Sequence, residues 1–293
     1  MDDRVIRQTM LEEFRSYLIE GEKSPATVEK YLRDVQHFFC HMNGRPVTKQ
    51  AVLEYKVYLG ETYAVASANS MLASVNVLLR HLGWHDLCVK QLKHQRQAFA
   101  PEQKEITRAE YQRLVATAYV QGNNRLGLIL QTICATGIRV SELPFITVEA
   151  AKRGEAVVHC KGKTRTVLLV KELRTKLLRY AKERGVRTGA LFVTRSGRPI
   201  SRTAVWREMK ALCRGAKVAP SKVFPHNLRH LFARAFYDVK KDIAALADVL
   251  GHSSINTTRI YLTTTCTEHR KQLERMALLV PKCKKPATAG LLT

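Results

Sequence analysis

The sequence predicts a mainly α-helical protein with two domains, an N-terminal helical bundle and a mostly helical second domain that carries a small antiparallel β-sheet. Apolar residues recur at helical spacing over most of the chain, and its 293 residues are enough to form two cores. A polar stretch at residues 94–107 lacks that apolar period and predicts a linker. Residues 155–170 carry β-branched runs on both sides of a glycine, which predicts one hairpin.

The first 93 residues predict four helices joined by short connections. Three apolar residues mark the first helix at helical spacing: Leu11, Phe14 and Leu18. Ser24, followed by a proline, is the expected N-cap of the second helix, and Thr48 is the expected N-cap of the third. The third helix should end near Gly60 and the fourth at Gly83. Four helices of this kind pack as a small bundle.

The second domain should begin at Thr107, which forms a capping-box pattern with Glu110. Residues 126–135 are apolar nearly all round and predict a central buried helix, which Gly137 should end in a left-handed turn. Ser141 or a neighbour should start the next helix.

Two more helices are predicted further along the chain. One enters at Pro225, and the other runs to a C-cap at Gly251. An amphipathic segment at residues 268–280 predicts a last helix, and the tail after Pro281 follows it.

Positive charge is concentrated in the second domain. The net charge of the chain is +24, but residues 1–93 hold 12 Lys and Arg against 11 Asp and Glu. Residues 108–293 hold 35 against 12. This asymmetry indicates a polyanionic partner, most often nucleic acid, whereas the alternative is a basic surface without a specific partner.

Cysteine usage and hydropathy indicate a cytoplasmic protein without a membrane partner. The seven cysteines are scattered, odd in number and free of any Cys-x-x-Cys pair, which predicts reduced thiols. No apolar run reaches the roughly 18 residues of a membrane span. The first four residues lack the apolar centre of a signal peptide.

The stretch from Pro225 to Tyr261 carries the strongest chemical pattern. His226 and Arg229 are three residues apart and share one face of the predicted helix. A Gly-His pair ends at His252, and Tyr261 lies nine residues beyond it. Arginine and histidine suit contact with a phosphate, and a tyrosine hydroxyl can act as a covalent nucleophile.

Arg139 is the second candidate phosphate ligand. It follows the glycine that ends the apolar helix, beside the free N–H groups of the next helix, where a phosphate is stabilised. The other interpretation is a surface arginine on a loop.

Residues 135–143 and 225–261 together resemble the catalytic motifs of the tyrosine recombinases, the phage-integrase and Xer-type site-specific enzymes. The resemblance implies that residues 1–93 form a SAM-like core-binding domain that binds DNA, with residues 94–107 as linker. It implies a catalytic domain at residues 108–265. Residues 266–293 would be a C-terminal helix and tail that contact a neighbouring protomer, or else pack on their own domain.

The resemblance also implies the roles of the site residues. Arg139 would be the first catalytic arginine, and Glu142 the acidic residue that supports the site. His226 and Arg229 would be the second histidine and second arginine. The remaining two positions are His252, which would hydrogen-bond the scissile phosphate, and Tyr261, which would be the nucleophile.

A lysine of the hairpin would protonate the departing 5′-hydroxyl. Lysine suits this work because its pKa falls when it is desolvated or lies near other cations. Lys161, followed by Gly162, matches the family pattern best. The turn is shorter than in the Xer-type enzymes, which leaves Lys163 as the alternative.

The reaction implied is cutting and rejoining of double-stranded DNA, as in integration, excision, inversion or resolution. Tyr261 would form a 3′-phosphotyrosyl link, and the enzyme would act as dimers and a tetramer on DNA through a Holliday junction. Because the bond energy is kept in the link to tyrosine, neither metal nor cofactor is required. No small-molecule substrate is expected.

Three alternatives to this function come from other classes. A type IB topoisomerase-like enzyme would share the chemistry without synapsis, and a silent DNA-binding regulator would not need a nucleophile. His226 and His230 have the spacing of a metal-binding pair, which would suit a zinc hydrolase. The zinc-protease pattern, however, needs a Glu where the chain has Asn227, so His230 is interpreted as a structural residue.

Overall fold

The computed structural model describes residues 4–93, 105–160, 163–262 and 274–276, without the side chains of Cys160 and Lys163. The chain divides into two compact units, Met1–Arg96 and Gln97–Thr293. Both are mainly helical, and the second contains a two-stranded antiparallel sheet, which confirms the predicted fold class. The bounds of the four predicted segments stay predictions. Most of the expected linker, and most of the expected C-terminal helix with its tail, lie outside the described residues.

The first unit is a bundle of four helices in its described part. They are α1 (Gln8–Glu20), α2 (Pro25–Met42), α3 (Lys49–Thr62) and α4 (Val65–His81), followed by a 3₁₀ turn at His85–Leu87. The side chains of Ser24 and Thr48 cap α2 and α3 as predicted. Gly60 does not end α3, since Leu92 packs against it and the helix continues to Thr62.

The second unit is built around the helix predicted to be central. Its first elements are α5 (Arg108–Val120), α6 (Asn124–Thr136), a 3₁₀ helix at Val140–Phe145 and α7 (Val148–Arg153). Thr107 and Glu110 form the predicted capping box of α5. Helix α6 packs against α5 and three later helices, and most of its residues are buried.

The hairpin and the remaining helices follow. They are β1 (Glu155–Cys160), β2 (Lys163–Leu168), α8 (Lys171–Glu183), α9 (Arg202–Ala216), a 3₁₀ turn at Pro220–Lys222, α10 (Pro225–Lys240), α11 (Ile243–Leu250), α12 (Ile255–Arg259) and a 3₁₀ turn at Ile260–Leu262. The strands pair antiparallel, from Glu155 with Leu168 to Cys160 with Lys163, as the hairpin prediction requires. None of the described helices is long and apolar enough to cross a membrane.

Candidate active site

The end of α6 places Arg139. Gly137 ends the helix at φ 64°, in the left-handed conformation predicted for it. Arg139 then caps the 3₁₀ helix that starts at Val140, the neighbour of Ser141. Its backbone N–H donates to Glu142 Oε2 (2.8 Å), and its guanidinium Nη1 donates to Glu142 Oε1 (3.0 Å). Glu142, only 1 % exposed, therefore fixes both ends of Arg139, and the Arg139 side chain keeps 36 % exposure for an incoming anion.

Helix α10 places His226 and Arg229 on the same side of the site. Pro225 is its first residue, as predicted. Arg229 is 1 % exposed and donates to the carbonyl oxygens of Gly137 and Leu250. Burial, with the nearby charge of Arg139, lowers the pKa of the Arg229 guanidinium. Its charge is thus held by the carbonyl oxygens that end two helices, where negative dipole charge accumulates.

Helix α11 ends in the predicted left-handed Gly251, at φ 65°, and delivers His252. Arg229 Nη2 lies 2.9 Å from His252 Nε2, and His252 Nδ1 lies 2.9 Å from Thr258 Oγ1. A guanidinium only donates, so Nε2 is the acceptor and Nδ1 carries the proton. Burial and Arg229 lower the pKa of His252 to about 4, which keeps the ring neutral near pH 7.

The last described turn of the unit carries Tyr261. Ser254 caps α12, and the chain continues into the 3₁₀ turn at Ile260–Leu262. Tyr261 is 4 % exposed, and its hydroxyl oxygen lies 3.3 Å from His226 Nε2. Burial and the charge of Arg229 lower the pKa of His226, so that its ring is neutral and able to accept a proton.

His230 packs on the ring of Tyr261. The two ring centroids are 4.3 Å apart, and burial lowers the pKa of His230 to about 4. Its ring also lies edge-on to His226, with centroids 5.0 Å apart. Within the described residues, no group of three or more His, Cys, Asp or Glu side chains could hold a metal ion. His230 thus packs against the ring of Tyr261, consistent with a structural role.

The hairpin lysines stay predictions. Lys161 and Gly162 lie outside the described residues, and Lys163 is described only as the first backbone position of β2.

Sequence reasoning missed Arg165. This residue of β2 donates from Nη2 to Glu142 Oε2 (2.7 Å) and from Nη1 to the carbonyl oxygen of Val249 (2.9 Å). Its side chain is 13 % exposed. The alternation of side chains along a strand could have revealed it. Arg165 stands two residues before the buried Val167 and therefore lies on the inner face of the hairpin.

Two adjoining cavities open on these residues. One of about 620 Å³ is lined by Arg139, His226 and Arg229, together with Arg202 and Trp206 of α9. The other, of about 570 Å³, is lined by Arg139, Glu142, Arg165 and His252. Arg139 borders both, so its partly exposed guanidinium is accessible from either cavity.

The structure thus brings together six of the seven predicted site residues: Arg139, Glu142, His226, Arg229, His252 and Tyr261. Three arginines, Arg139, Arg165 and Arg229, lie in this cluster, and Glu142 pairs with the first two of them. The excess of positive charge suits a phosphodiester, and the buried hydroxyl beside a neutral imidazole suits nucleophilic attack.

Comparison with known proteins agrees with this geometry. Residues 104–268 match the model of the phage integrase family. The tyrosine recombinase XerD of Pseudomonas aeruginosa is 30% identical over 80% of this chain and 85% of its own length. The tyrosine recombinase XerA of Pyrococcus furiosus is 28% identical over 95% and 98%. A lambda integrase tetramer bound to a Holliday junction shares the fold, with a TM-score of 0.70 and 17% identity over 89% of this chain and 78% of the other.

Proposed function

The chain belongs to the phage integrase family of tyrosine recombinases, and we propose that Tyr261 is the residue with which it cuts and rejoins duplex DNA. The protein is a tyrosine-type site-specific DNA recombinase. The observation that carries the assignment of Tyr261 is its hydroxyl, 3.3 Å from a neutral His226 and beside the guanidinium of Arg229. The hydroxyls of Tyr55 and Tyr63 also approach a histidine, His37, but among the described tyrosines Tyr261 is the one that has an arginine guanidinium over its ring as well.

The Tyr261 oxygen attacks the scissile phosphorus and displaces the 5′-oxygen, which leaves a 3′-phosphotyrosyl link. His226 Nε2 is placed to accept the phenolic proton, and Arg139 and Arg229 hold the non-bridging oxygens as charge grows on them. Lys161 supplies the proton to the departing 5′-oxygen. In the second step a 5′-hydroxyl of the partner strand attacks the same phosphorus. The bond from phosphorus to the phenolic oxygen breaks, and Tyr261 is released.

Burial of Tyr261 adds a condition to this mechanism. The residue is 4 % exposed and lines neither cavity. Attack therefore requires a local shift of the 3₁₀ turn at Ile260–Leu262 toward the phosphate beside Arg139.

Duplex DNA is the proposed partner, and the enzyme acts as a tetramer through a Holliday junction. The excess of Lys and Arg in residues 108–293 supports DNA binding, and the tetrameric lambda integrase supports the assembly. Cytoplasmic location is supported by four described cysteines that are all free thiols: Cys40, Cys88, Cys134 and Cys213.

The test is a covalent trap on nicked duplexes made from the DNA that flanks the gene of this protein. The released fragment diffuses away, so wild type should accumulate a detergent-stable adduct on the tryptic peptide that starts at Ile260. Tyr261→Phe should bind DNA without forming the adduct, because only the hydroxyl is lost. Tyr237→Phe, a ring-preserving change at a packing tyrosine of the same helical cluster, should still form it. An adduct with Tyr261→Phe would assign the nucleophile to another residue.

A further inference from the structure

We propose that Arg165 is a positioning residue that holds two arms of the site, Arg139 through Glu142 and His252 through the end of α11. Its two terminal nitrogens are used for this purpose, one on Glu142 Oε2 at 2.7 Å and one on the carbonyl oxygen of Val249 at 2.9 Å. The proposal rests on the proposed function, since it concerns the cleavage step at Tyr261.

The strand places Arg165 where a charged residue is costly. It pairs with Val158 in the sheet register, so both side chains lie on the same face. Val158 and the next inward residue, Val167, are buried in the core of the unit. Glu142 and Val249 satisfy the two terminal nitrogens of this guanidinium, whereas its Nε is buried without a hydrogen-bond partner among the described residues. The two terminal contacts therefore stabilise the charge on this face.

Glu142 is shared between two arginines. Oε1 accepts from Arg139 Nη1, whereas Oε2 accepts from Arg165 Nη2 and from the backbone N–H of Arg139. Without Arg165, the buried carboxylate loses a charged donor and is balanced by Arg139 alone. The Arg139 guanidinium is then drawn toward Glu142 and away from the cavity where a phosphate would lie.

The second arm depends on a close contact with glycine. A Cβ built on Gly251 would lie 2.3 Å from Arg165 Cδ, so the arginine stem passes directly over this residue. Its guanidinium also anchors the carbonyl of Val249, two residues before Gly251. The next carbonyl, of Leu250, accepts from Arg229, and His252 follows. Arg165 therefore braces the turn from which His252 reaches the site.

The experiment compares Arg165→Lys and Arg165→Gln with the same changes at Arg125. Arg125 is a matched control, because it donates to one backbone carbonyl (Val193, 3.0 Å) and one carboxylate (Glu208, 2.7 Å) away from the site. Each variant is assayed for DNA affinity and for the rate of adduct formation at saturating protein. The nicked duplex carries an ordinary phosphate, an uncharged methylphosphonate, or a 5′-bridging sulfur at the scissile position.

The Arg165 variants should bind DNA with unchanged affinity and form the adduct roughly 10- to 100-fold more slowly, the loss expected for misplaced reacting groups. The loss of cleavage rate should be smaller on the methylphosphonate, as it should be for Arg139→Ala. An uncharged methylphosphonate develops less negative charge in the transition state, so it depends less on the arginines that stabilise that charge. The loss of rate in the Arg165 variants should persist on the duplex with the 5′-bridging sulfur. Lys161→Ala should cleave that duplex at nearly the wild-type rate, because a thiolate leaves without protonation. Arg125 variants should cleave like wild type.

Two outcomes overturn the proposal. Arg165 variants that cleave as fast as the Arg125 variants would reduce Arg165 to a structural residue. Recovery with the bridging sulfur would place its effect on the leaving group. If Arg165→Gln fails to fold, the same cleavage rates are measured with Arg165→Lys. This variant keeps the charge but can reach only one of the two acceptors. An adduct that survives Tyr261→Phe would instead refute the proposed function, so the two failures are distinguishable.

Discussion

The left-handed Gly137 offers a quantitative test of how the site is built. Its φ is 64°, and a Cβ added there would lie 2.4 Å from Phe232 Cδ1 and 3.0 Å from Leu250 Cδ2. Its carbonyl oxygen also accepts from Arg229. Gly137→Ala therefore perturbs backbone conformation, packing and the placement of Arg229 at once.

The cost of Gly137→Ala can be divided into two parts. Left-handed backbone with a Cβ costs about 1–2 kcal/mol. Forcing a methyl group into a packed core costs about 1–3 kcal/mol. The free energy of unfolding should thus fall by about 2–5 kcal/mol.

Gly122→Ala is the matched control. Gly122 has φ 71°, but nothing in the described structure lies within 4 Å of its added Cβ. This variant should lose only the backbone part, about 1–2 kcal/mol. The difference between the two variants measures the clash at Phe232 and should be about 1–3 kcal/mol.

The assay is urea unfolding of the full chain with Trp84 replaced by Phe. The remaining tryptophan, Trp206, lies in the second unit, so its fluorescence reports the unit that contains the site. Equal losses for Gly137→Ala and Gly122→Ala would refute the packing argument. Gly137→Ala should also slow adduct formation, since the carbonyl that holds Arg229 moves.

Three further predictions concern charge. Glu142→Gln should cost about 3–5 kcal/mol by urea unfolding, because it removes the buried carboxylate that pairs with the largely buried Arg165 and with the partly exposed Arg139. Glu208→Gln, whose side chain is 25% exposed, should cost under about 1 kcal/mol in the same assay. Burial lowers the pKa of His230 from 6.5 to about 4 in the folded chain, so between these pH values the unfolded chain is protonated at His230 and the folded chain is not. The free energy of unfolding should therefore fall as the pH drops from 6.5 to about 4. His230→Phe should reduce this fall in Tm, and an unchanged fall would contradict the burial of His230. Finally, log affinity for duplex DNA should decrease linearly with log salt concentration, and a flat line would contradict the charge argument.

Local signals predicted most of the helix ends. The caps at Ser24, Thr48 and Thr107 satisfy N–H groups within three residues, and the left-handed ends at Gly137 and Gly251 need only their own φ. Such signals are contained in short stretches of sequence, so pattern reasoning finds them. The end of α3 expected near Gly60 lies two residues further on, at Thr62, and Leu92 packs against this glycine.

Contacts between residues that are far apart in the chain could not be predicted from the sequence. Arg165 reaches Glu142 and Val249, which are 23 and 84 residues away in the chain. The tautomer of His252 likewise depends on the placement of Arg229 in three dimensions. The motifs named the candidate site residues, Glu142 among them, whereas the contacts of Arg165 required the fold.

The two helix-end carbonyls that hold Arg229 have an evolutionary consequence. Arg229 joins the end of α6 to the end of α11, whereas the hydroxyl of Tyr261 contacts the side chains of His226 and Arg229. In a lineage released from selection for recombination, the hydroxyl could drift away at little cost in stability. The arginine would persist, because the fold itself depends on it. Descendants that have lost the chemistry should therefore keep Arg229 longer than Tyr261.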